Sequence, residues 1–356
     1  MTKVYLHRVA HGAPKAEWAR AARKVLEASE PPSVIQANDL VAVKLHVGEP
    51  GLHTFLPPEV AAQAVRFVRE KRAQPFLTDT CVLYSSERAT GAGHAEVASK
   101  HGFTVEAVGA PFLPADGLEG NVEVSVPIEG RHFRAVGIAR SIADADAMVV
   151  VSHATGHLAS GFGATLKNLG MGCASRKGKL QQHSDTKPFV KQPRCEACGA
   201  CIASCPEHAL SSQPDGKAAL DDSRCIGCGE CIAQCRYDAI GFRWDSAPSS
   251  LQEKMAEHAL GVVRALEGRV VYLLGIVALT KDCDCLEPGS PVVARDIGFA
   301  SSLDPVALDQ AAMDLVAKSE GKRLDEIAYP NVDGTVQLVH AERIGLGSRA
   351  YSLVET

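Results

Sequence analysis

The sequence predicts an α/β fold: a mostly parallel sheet with flanking helices, interrupted by an inserted small α+β domain. Three observations carry that expectation. Short runs of purely apolar residues recur along the chain, helix-type periodicity lies between them, and a cysteine-dense block divides the pattern in mid-chain. At 356 residues, 46% of them hydrophobic, the chain has enough apolar material to bury the cores of two domains or more.

The apolar runs Leu40-Val41-Ala42-Val43, Ala147-Met148-Val149-Val150-Val151 and Val270-Val271-Tyr272-Leu273-Leu274 read as strands buried on both faces, as in a parallel sheet. Phe76-Leu77-Thr78 reads as another. A helix starts at Pro57-Pro58 and lays Val60, Ala64 and Val68 along one stripe, with Ala61 and Val65 beside it. A second follows Ser302-Leu303-Asp304-Pro305, where a capping residue and a first-turn proline open the segment VALDQAAMDLVAK. The 113 residues after position 243 hold one long strand candidate and several helices, too little sheet for a second complete α/β domain. Residues 1–187 and 244–356 are therefore expected to build one α/β domain in two parts, with residues 188–243 looped out of it and the ends of the loop close together.

The inserted block is defined by its cysteines. Residues 195–206 read CEACGACIASCP and residues 225–236 read CIGCGECIAQCR, so each run is C-x2-C-x2-C-x3-C, and each cysteine of the second lies 30 residues after its counterpart. Three cysteines two residues apart wrap a loop around three corners of an iron–sulfur cube, and the fourth corner is taken from the other run. Cys195, Cys198, Cys201 and Cys235 are expected to hold one 4Fe-4S cluster, and Cys205, Cys225, Cys228 and Cys231 the other. Gly199 and Gly229 permit the tight turns. Zinc ribbons, the bland alternative, more often use two separated C-x2-C pairs. Over residues 188–243 six basic side chains face seven acidic ones, so no strongly acidic docking face is expected. The preceding stretch, residues 173–194, has six basic residues and one acidic one, and reads as a solvated linker or as a wall that attracts an anionic substrate or redox partner.

In open α/β sheets ligands bind beyond the carboxyl ends of the strands. Four such ends carry reactive residue types: Lys44-Leu45-His46-Val47-Gly48-Glu49, Asp79-Thr80-Cys81, Ser152-His153-Ala154-Thr155-Gly156-His157 and Lys281-Asp282-Cys283-Asp284-Cys285. The glycine-rich stretch GFGATLKNLGMGC adds Lys167, Asn168 and Cys173. It is not a nucleotide fingerprint, because Leu166 stands where a third glycine is required, but it could present backbone N–H groups to an anion at a helix start. Taken singly, Cys81 and Cys173 read as small buried hydrophobes, His153 and His157 equally as structural groups or ligands, and His46 and His53 are weaker candidates.

Cys283 and Cys285 are harder to dismiss, since residues i and i+2 of a strand share a face and both sulfurs can close on one metal. A disulfide across a single residue would be strained and would need oxidation. The pair is read as metal or cluster ligands, as redox-active or nucleophilic thiols, or as structural. Cys81 and Cys173 are candidate further thiolates of an additional metal or a third iron–sulfur centre, whereas ligation by His153 or His157 would favour mononuclear iron or zinc.

Residues 188–243 resemble the bacterial dicluster ferredoxins. The combination of KLHVGEPG, TDTC, SHATGHLASGFGATLKNLGMGCASR, CDC and DIGFASSLDPVALDQAAMDLV around that block resembles the uncharacterised Fe-S centre proteins, whose outer domain is a domain of unknown function. The resemblance implies a ferredoxin fused to a domain without an agreed activity. The expected function is an iron–sulfur electron-transfer protein, an oxidoreductase in which two 4Fe-4S clusters exchange electrons with a site containing Cys283, Cys285, Lys167, His153 and His157. The alternatives are an electron-carrier subunit that docks a redox complex, and a protein that handles metal or iron–sulfur clusters. The expected partner is a redox protein or a small-molecule substrate.

The net charge of -5 gives no general attraction to nucleic acid, and there is no 18-residue apolar run to enter a membrane. With no secretory signal pattern at the N-terminus, a cytoplasmic location is expected.

Arg236 stands where the first run has Pro206, and a cation beside a cluster favours its reduced, more negative form. Arg236→Gln should lower the potential of one cluster and leave the other unmoved; a redox titration finding two indistinguishable centres in both proteins would contradict this.

Overall fold

The computed structural model describes residues 1–29, 33–183, 187–225, 227, 229–242, 247–286 and 290–356, with the backbone alone at Ala233 and Phe242. Its centre is an eight-stranded sheet. In chain order the strands are β1 (Thr2–Arg8), β2 (Leu40–Lys44), β3 (Gln74–Asp79), β4 (Phe112–Pro114), β5 (Ala147–His153), β6 (Val270–Ile276), β7 (Gly298–Ser302) and β8 (Tyr351–Glu355). Their order across the sheet is β8-β1-β7-β6-β5-β2-β3-β4. All pairings are parallel except the two made by β7, which runs against both β1 and β6. The sheet is therefore mostly parallel, and strands from both sides of the cysteine-rich block share it.

The apolar runs alternate between two cores. Val41, Val43, Val149, Val151, Val271 and Leu273 point to one face, where helices α1 (Lys15–Ser29) and α2 (Pro58–Glu70) cover them. Ala42, Met148, Val150, Tyr272 and Leu274 point to the other, under the helices Pro248–Ala265 and Pro305–Glu320. Burying each valine or leucine contributes about 1.5–3 kcal/mol, which is why purely apolar strands settle in the middle of the sheet. The Pro58 helix buries Val60, Ala61, Ala64, Val65 and Val68 as its periodicity predicts. The Pro305 helix is capped by Asp304, which accepts from Val306 N at 2.9 Å and Ala307 N at 3.0 Å.

Two details differ from the sequence reading. The strand read at Val270–Leu274 runs on to Ile276 and stops there, because Ala278 takes a left-handed φ of 45° and donates its N–H to Asp296 at 2.6 Å. Strand β7, GFASS, is too poor in large apolar residues to announce itself, yet it is wholly buried.

Four further helices matter below, so the six are numbered α1, α2, α3 (Thr165–Gly170), α4 (Arg176–Gln182), α5 (Pro248–Ala265) and α6 (Pro305–Glu320). In the cysteine-rich block, Pro188–Val190 pairs antiparallel with Ile240–Phe242, and Leu210–Ser212 with Ala218–Leu220. Short helices Ala200–Ala203 and Glu230–Gln234 each start from a glycine in the left-handed region, Gly199 at φ 72° and Gly229 at φ 82°. His208 and Asp238, also 30 residues apart, share a φ of 50°. The duplication seen in the cysteine spacing is thus repeated in the backbone. Among the described residues no helix is long and apolar enough to cross a membrane.

Gly170 ends α3 where it meets α5, and a Cβ there would lie 2.0 Å from the Met255 carbonyl oxygen. Gly170→Ala should destabilise the fold by about 1–3 kcal/mol, seen as a lower urea midpoint with an unchanged slope.

Candidate functional site

The carboxyl ends of β2, β3 and β5 place Lys44, Asp79 and His153 along one edge of the sheet, and a cavity of about 750 Å³ opens there. Lys44 is fully buried and gives its ammonium to Asp79 at 3.0 Å, Asn168 Oδ1 at 2.6 Å and Leu45 O at 3.0 Å. Arg88, 2% exposed, holds Asp79 through Nη2 at 2.9 Å and Glu49 through Nη1. Glu49 also accepts the Tyr84 and Ser86 hydroxyls at 2.6 Å each. Burial alone would raise the Asp79 pKa, but Lys44, His94 and Arg88 hold it well below the ordinary carboxylate range. Sequence reasoning missed Arg88, which lies in a single 3-10 turn, Glu87–Ala89, and is recognisable as a site residue only from its burial.

The loop after β6 brings Cys283, Asp284 and Cys285 to the cavity wall. Its two aspartates fasten it. Asp284 accepts from His153 Nδ1 at 2.8 Å and Thr54 Oγ1 at 3.1 Å, and Asp282 binds the Tyr329 hydroxyl and Ser290. His153 Nε2 meets the Val277 carbonyl at 2.7 Å, so both ring nitrogens donate and the ring is an imidazolium. Burial opposes that charge, yet Asp284 raises the His153 pKa, while the same pairing takes Asp284 down to about 2 against its own burial. His153 thus has no nitrogen left for a metal or for proton exchange; it is a positioning residue.

Cys283 and Cys285 are joined to each other, with sulfurs 2.09 Å apart. The sequence reading had set this outcome aside. A Cα separation of 5.3 Å lies within the ordinary range for a disulfide, because the fastened loop bends back on itself. Lys167, on α3, points its ammonium at Cys285 Sγ from 3.5 Å. Its pKa falls to about 8, chiefly through burial.

His157 belongs to a small hairpin, Thr155–His157 against Gly161–Gly163, and its ligand-capable atom lies within 4.8 Å of both sulfurs. These three residues form the Cys/His group that could hold a metal, provided the sulfurs are reduced. His157 Nδ1, however, accepts the N–H groups of Ala159 at 3.2 Å and Ser160 at 3.1 Å, which places the ring proton on Nε2. Such a ring is better arranged to donate than to ligate.

Cys81 and Cys173 do not join this group and do not line the cavity. Cys173 is fully buried, packs its sulfur on Asn168 O at 3.6 Å and is pushed by burial up to about 12. Burial and the neighbouring Asp116 likewise keep Cys81 a thiol. Both fit the reading as small buried hydrophobes. The helix start after the glycine stretch does bind an anion, but it is the chain's own Asp309, which takes Thr165 N at 2.9 Å and Leu166 N at 2.8 Å. His46 lines the cavity; His53 does not.

In the basic segment, Lys179 lines the cavity, donating to Thr80 Oγ1 and to Ala174 O at 2.6 Å, and Lys177 pairs with Glu230 at 3.2 Å. Helix α4 therefore joins the cavity to the cysteine-rich block. There, Cys195, Cys198, Cys201 and Cys235 line one small cavity, a set that could hold a cluster. Backbone N–H groups point at sulfur in repeated fashion, Ala209 to Cys205 at 3.2 Å and Ala239 to Cys235 at 3.3 Å. Such donors suit the negative sulfurs of a ligated thiolate. Of the second set, Cys205, Cys225 and Cys231 are described, while Cys228 lies outside the described residues.

A family model described as Domain of unknown function (DUF362) matches residues 41–314. No curated protein matches the chain. Among solved structures it is similar to a protein from Thermotoga maritima, at 10% identity and a TM-score of 0.42, over 87% of this chain and 59% of that one. It is also similar to the lactate racemase apoprotein from Thermoanaerobacterium thermosaccharolyticum, at 10% identity and a TM-score of 0.36, over 77% of this chain and 50% of that one. The chain thus spans between half and three fifths of the length of these two structures.

The depressed Asp284 contributes stability that is present above about pH 4 and lost as pH falls toward 2; the raised His153 contributes stability that is present below about pH 6.5 and lost as pH climbs through its folded value. His153→Ala should cost about 3–5 kcal/mol and remove the alkaline-side loss from a plot of unfolding midpoint against pH.

Proposed function

We propose that this chain, which belongs to the DUF362 family, is an iron–sulfur oxidoreductase in which a dicluster ferredoxin-like module serves the Cys283–Cys285 pair in the sheet-edge cavity. One observation carries the reading. Leu83 lines the cavity and belongs to the same apolar cluster as Cys201 and Cys231, so the packing of the cysteine-rich block is continuous with the cavity wall. Close approach of this kind is what electron exchange between the two parts requires.

When bound, two 4Fe-4S clusters on Cys195, Cys198, Cys201 and Cys235 and on Cys205, Cys225, Cys228 and Cys231 supply one-electron transfer, two electrons in all. Opening the Cys283–Cys285 bond takes two electrons and two protons and yields two thiols. The Lys167 ammonium, 3.5 Å from Cys285 Sγ, is placed to give that sulfur its proton. Its pKa of about 8 suits the exchange near neutral pH. His153 keeps Asp284, and hence both flanking cysteines, in place. A redox protein is the proposed outside partner. A carrier subunit alone would not explain why the pair lines a cavity.

Anaerobically purified protein should contain about eight iron and about eight sulfide per chain. Cys283→Ser/Cys285→Ser should keep that iron and lose two of the electrons taken up in a dithionite titration. Unchanged electron uptake in this variant would refute the role given to the pair, and an iron-free protein would refute the clusters.

A further inference from the structure

We propose that the sheet-edge cavity seats an organic carboxylate with an apolar body, its carboxylate received by the Lys167 ammonium and the His157 Nε2–H. This names the substrate class of the site described above and rests on the reading of that site as the functional one.

Among the described residues, Lys167 is the cavity cation whose ammonium is not already held by protein oxygens, since Lys179, which also lacks a carboxylate, donates to Thr80 Oγ1 and Ala174 O. Asp79 is matched by Lys44 and Arg88, Glu49 by Arg88, and Asp284 by His153. Lys167 has no carboxylate at ion-pair distance among the described residues, and its polar contact is Cys285 Sγ, a weak acceptor. A cation drawn away from water without a counter-ion is costly, and a ligand anion relieves that cost.

His157 adds the second donor. With Nδ1 occupied by two backbone N–H groups, Nε2 bears the proton and has no protein partner among the described residues. Gly163 lets the two side chains converge: a Cβ there would stand 3.0 Å from Lys167 Cδ and 3.7 Å from His157 Cβ.

Beside the self-paired charges, the wall carries a set of apolar side chains. Val82, Leu83, Met171, Met255 and Leu286 line the interior, and Leu158, 48% exposed, lies at the rim. One ammonium and one N–H suit a monoanionic carboxylate better than a phosphate, which gathers several donors at once. The helix N-terminus that might have supplied them, that of α3, already holds Asp309.

The test is calorimetric titration of the anaerobically purified full chain with 4-phenylbutyrate, with its uncharged amide and with inorganic phosphate. The carboxylate should bind about tenfold or more tighter than either of the others. Lys167→Gln should erase the preference over the amide, and Lys167→Arg should restore part of it. Equal binding of acid and amide, a preference that survives Lys167→Gln in a protein of unchanged circular dichroism, or phosphate binding as tightly as the acid would each overturn the proposal. The titration is repeated in Cys283→Ser/Cys285→Ser. A preference retained there supports the binding site even if that variant's electron uptake refutes the redox role.

Discussion

Everything at the reactive edge of the sheet depends on one buried arrangement of charge, Lys44–Asp79–Arg88–Glu49. Strand ends are where a parallel sheet runs out of backbone hydrogen bonds, and there the chain places charges that apolar side chains cannot solvate. Each is tolerable only because the next one answers it. Removing a member would leave a buried charge unanswered, so the group behaves as a unit. Lys44 also holds Asn168, which bonds Val151 O and Ser152 Oγ at 3.0 Å each, and so ties α3 to the end of β5. The position of Lys167 one residue earlier follows from that tie.

This self-neutralising frame makes the exceptions informative. A site whose acids are matched, and in which Lys167 has neither a carboxylate nor a protein oxygen for its ammonium among the described residues, differs from a solvated surface, where imbalance costs little. The same contrast separates the two histidines of the SHATGH stretch. His153 spends both nitrogens on the protein, whereas His157 spends one. Their spacing suggested a common task, but the hairpin that starts after His153 gives them different ones.

The fold was largely legible because long apolar strands and capped amphipathic helices announce themselves through periodicity and composition. Strand β7 was not, since its glycine and serines are burial-neutral and their place is decided by the neighbours β1 and β6. At the site, Lys44, Asp79, His153 and the CDC loop could be found from their position after apolar runs. Arg88, Asp309 and Lys179 could not, because their roles come from contacts between segments far apart in the chain. The pairing of Cys283 with Cys285 was not legible for a related reason: the spacing alone gives a strand or an open loop, and the aspartate anchors that fasten the loop are tertiary.

The strand Pro188–Val190 enters the cysteine-rich block and Ile240–Phe242 leaves it, and the two lie side by side with Pro188 opposite Phe242. For the surrounding sheet, the fifty or so residues between them are therefore equivalent to a short hairpin, and closing a loop of that kind costs little beyond what a tight turn would. Heredity can act on such a junction. A block whose two ends meet can be gained, lost or exchanged between lineages without disturbing the register of any strand outside it, so the outer fold and its cavity have a history that need not be the history of the block they carry.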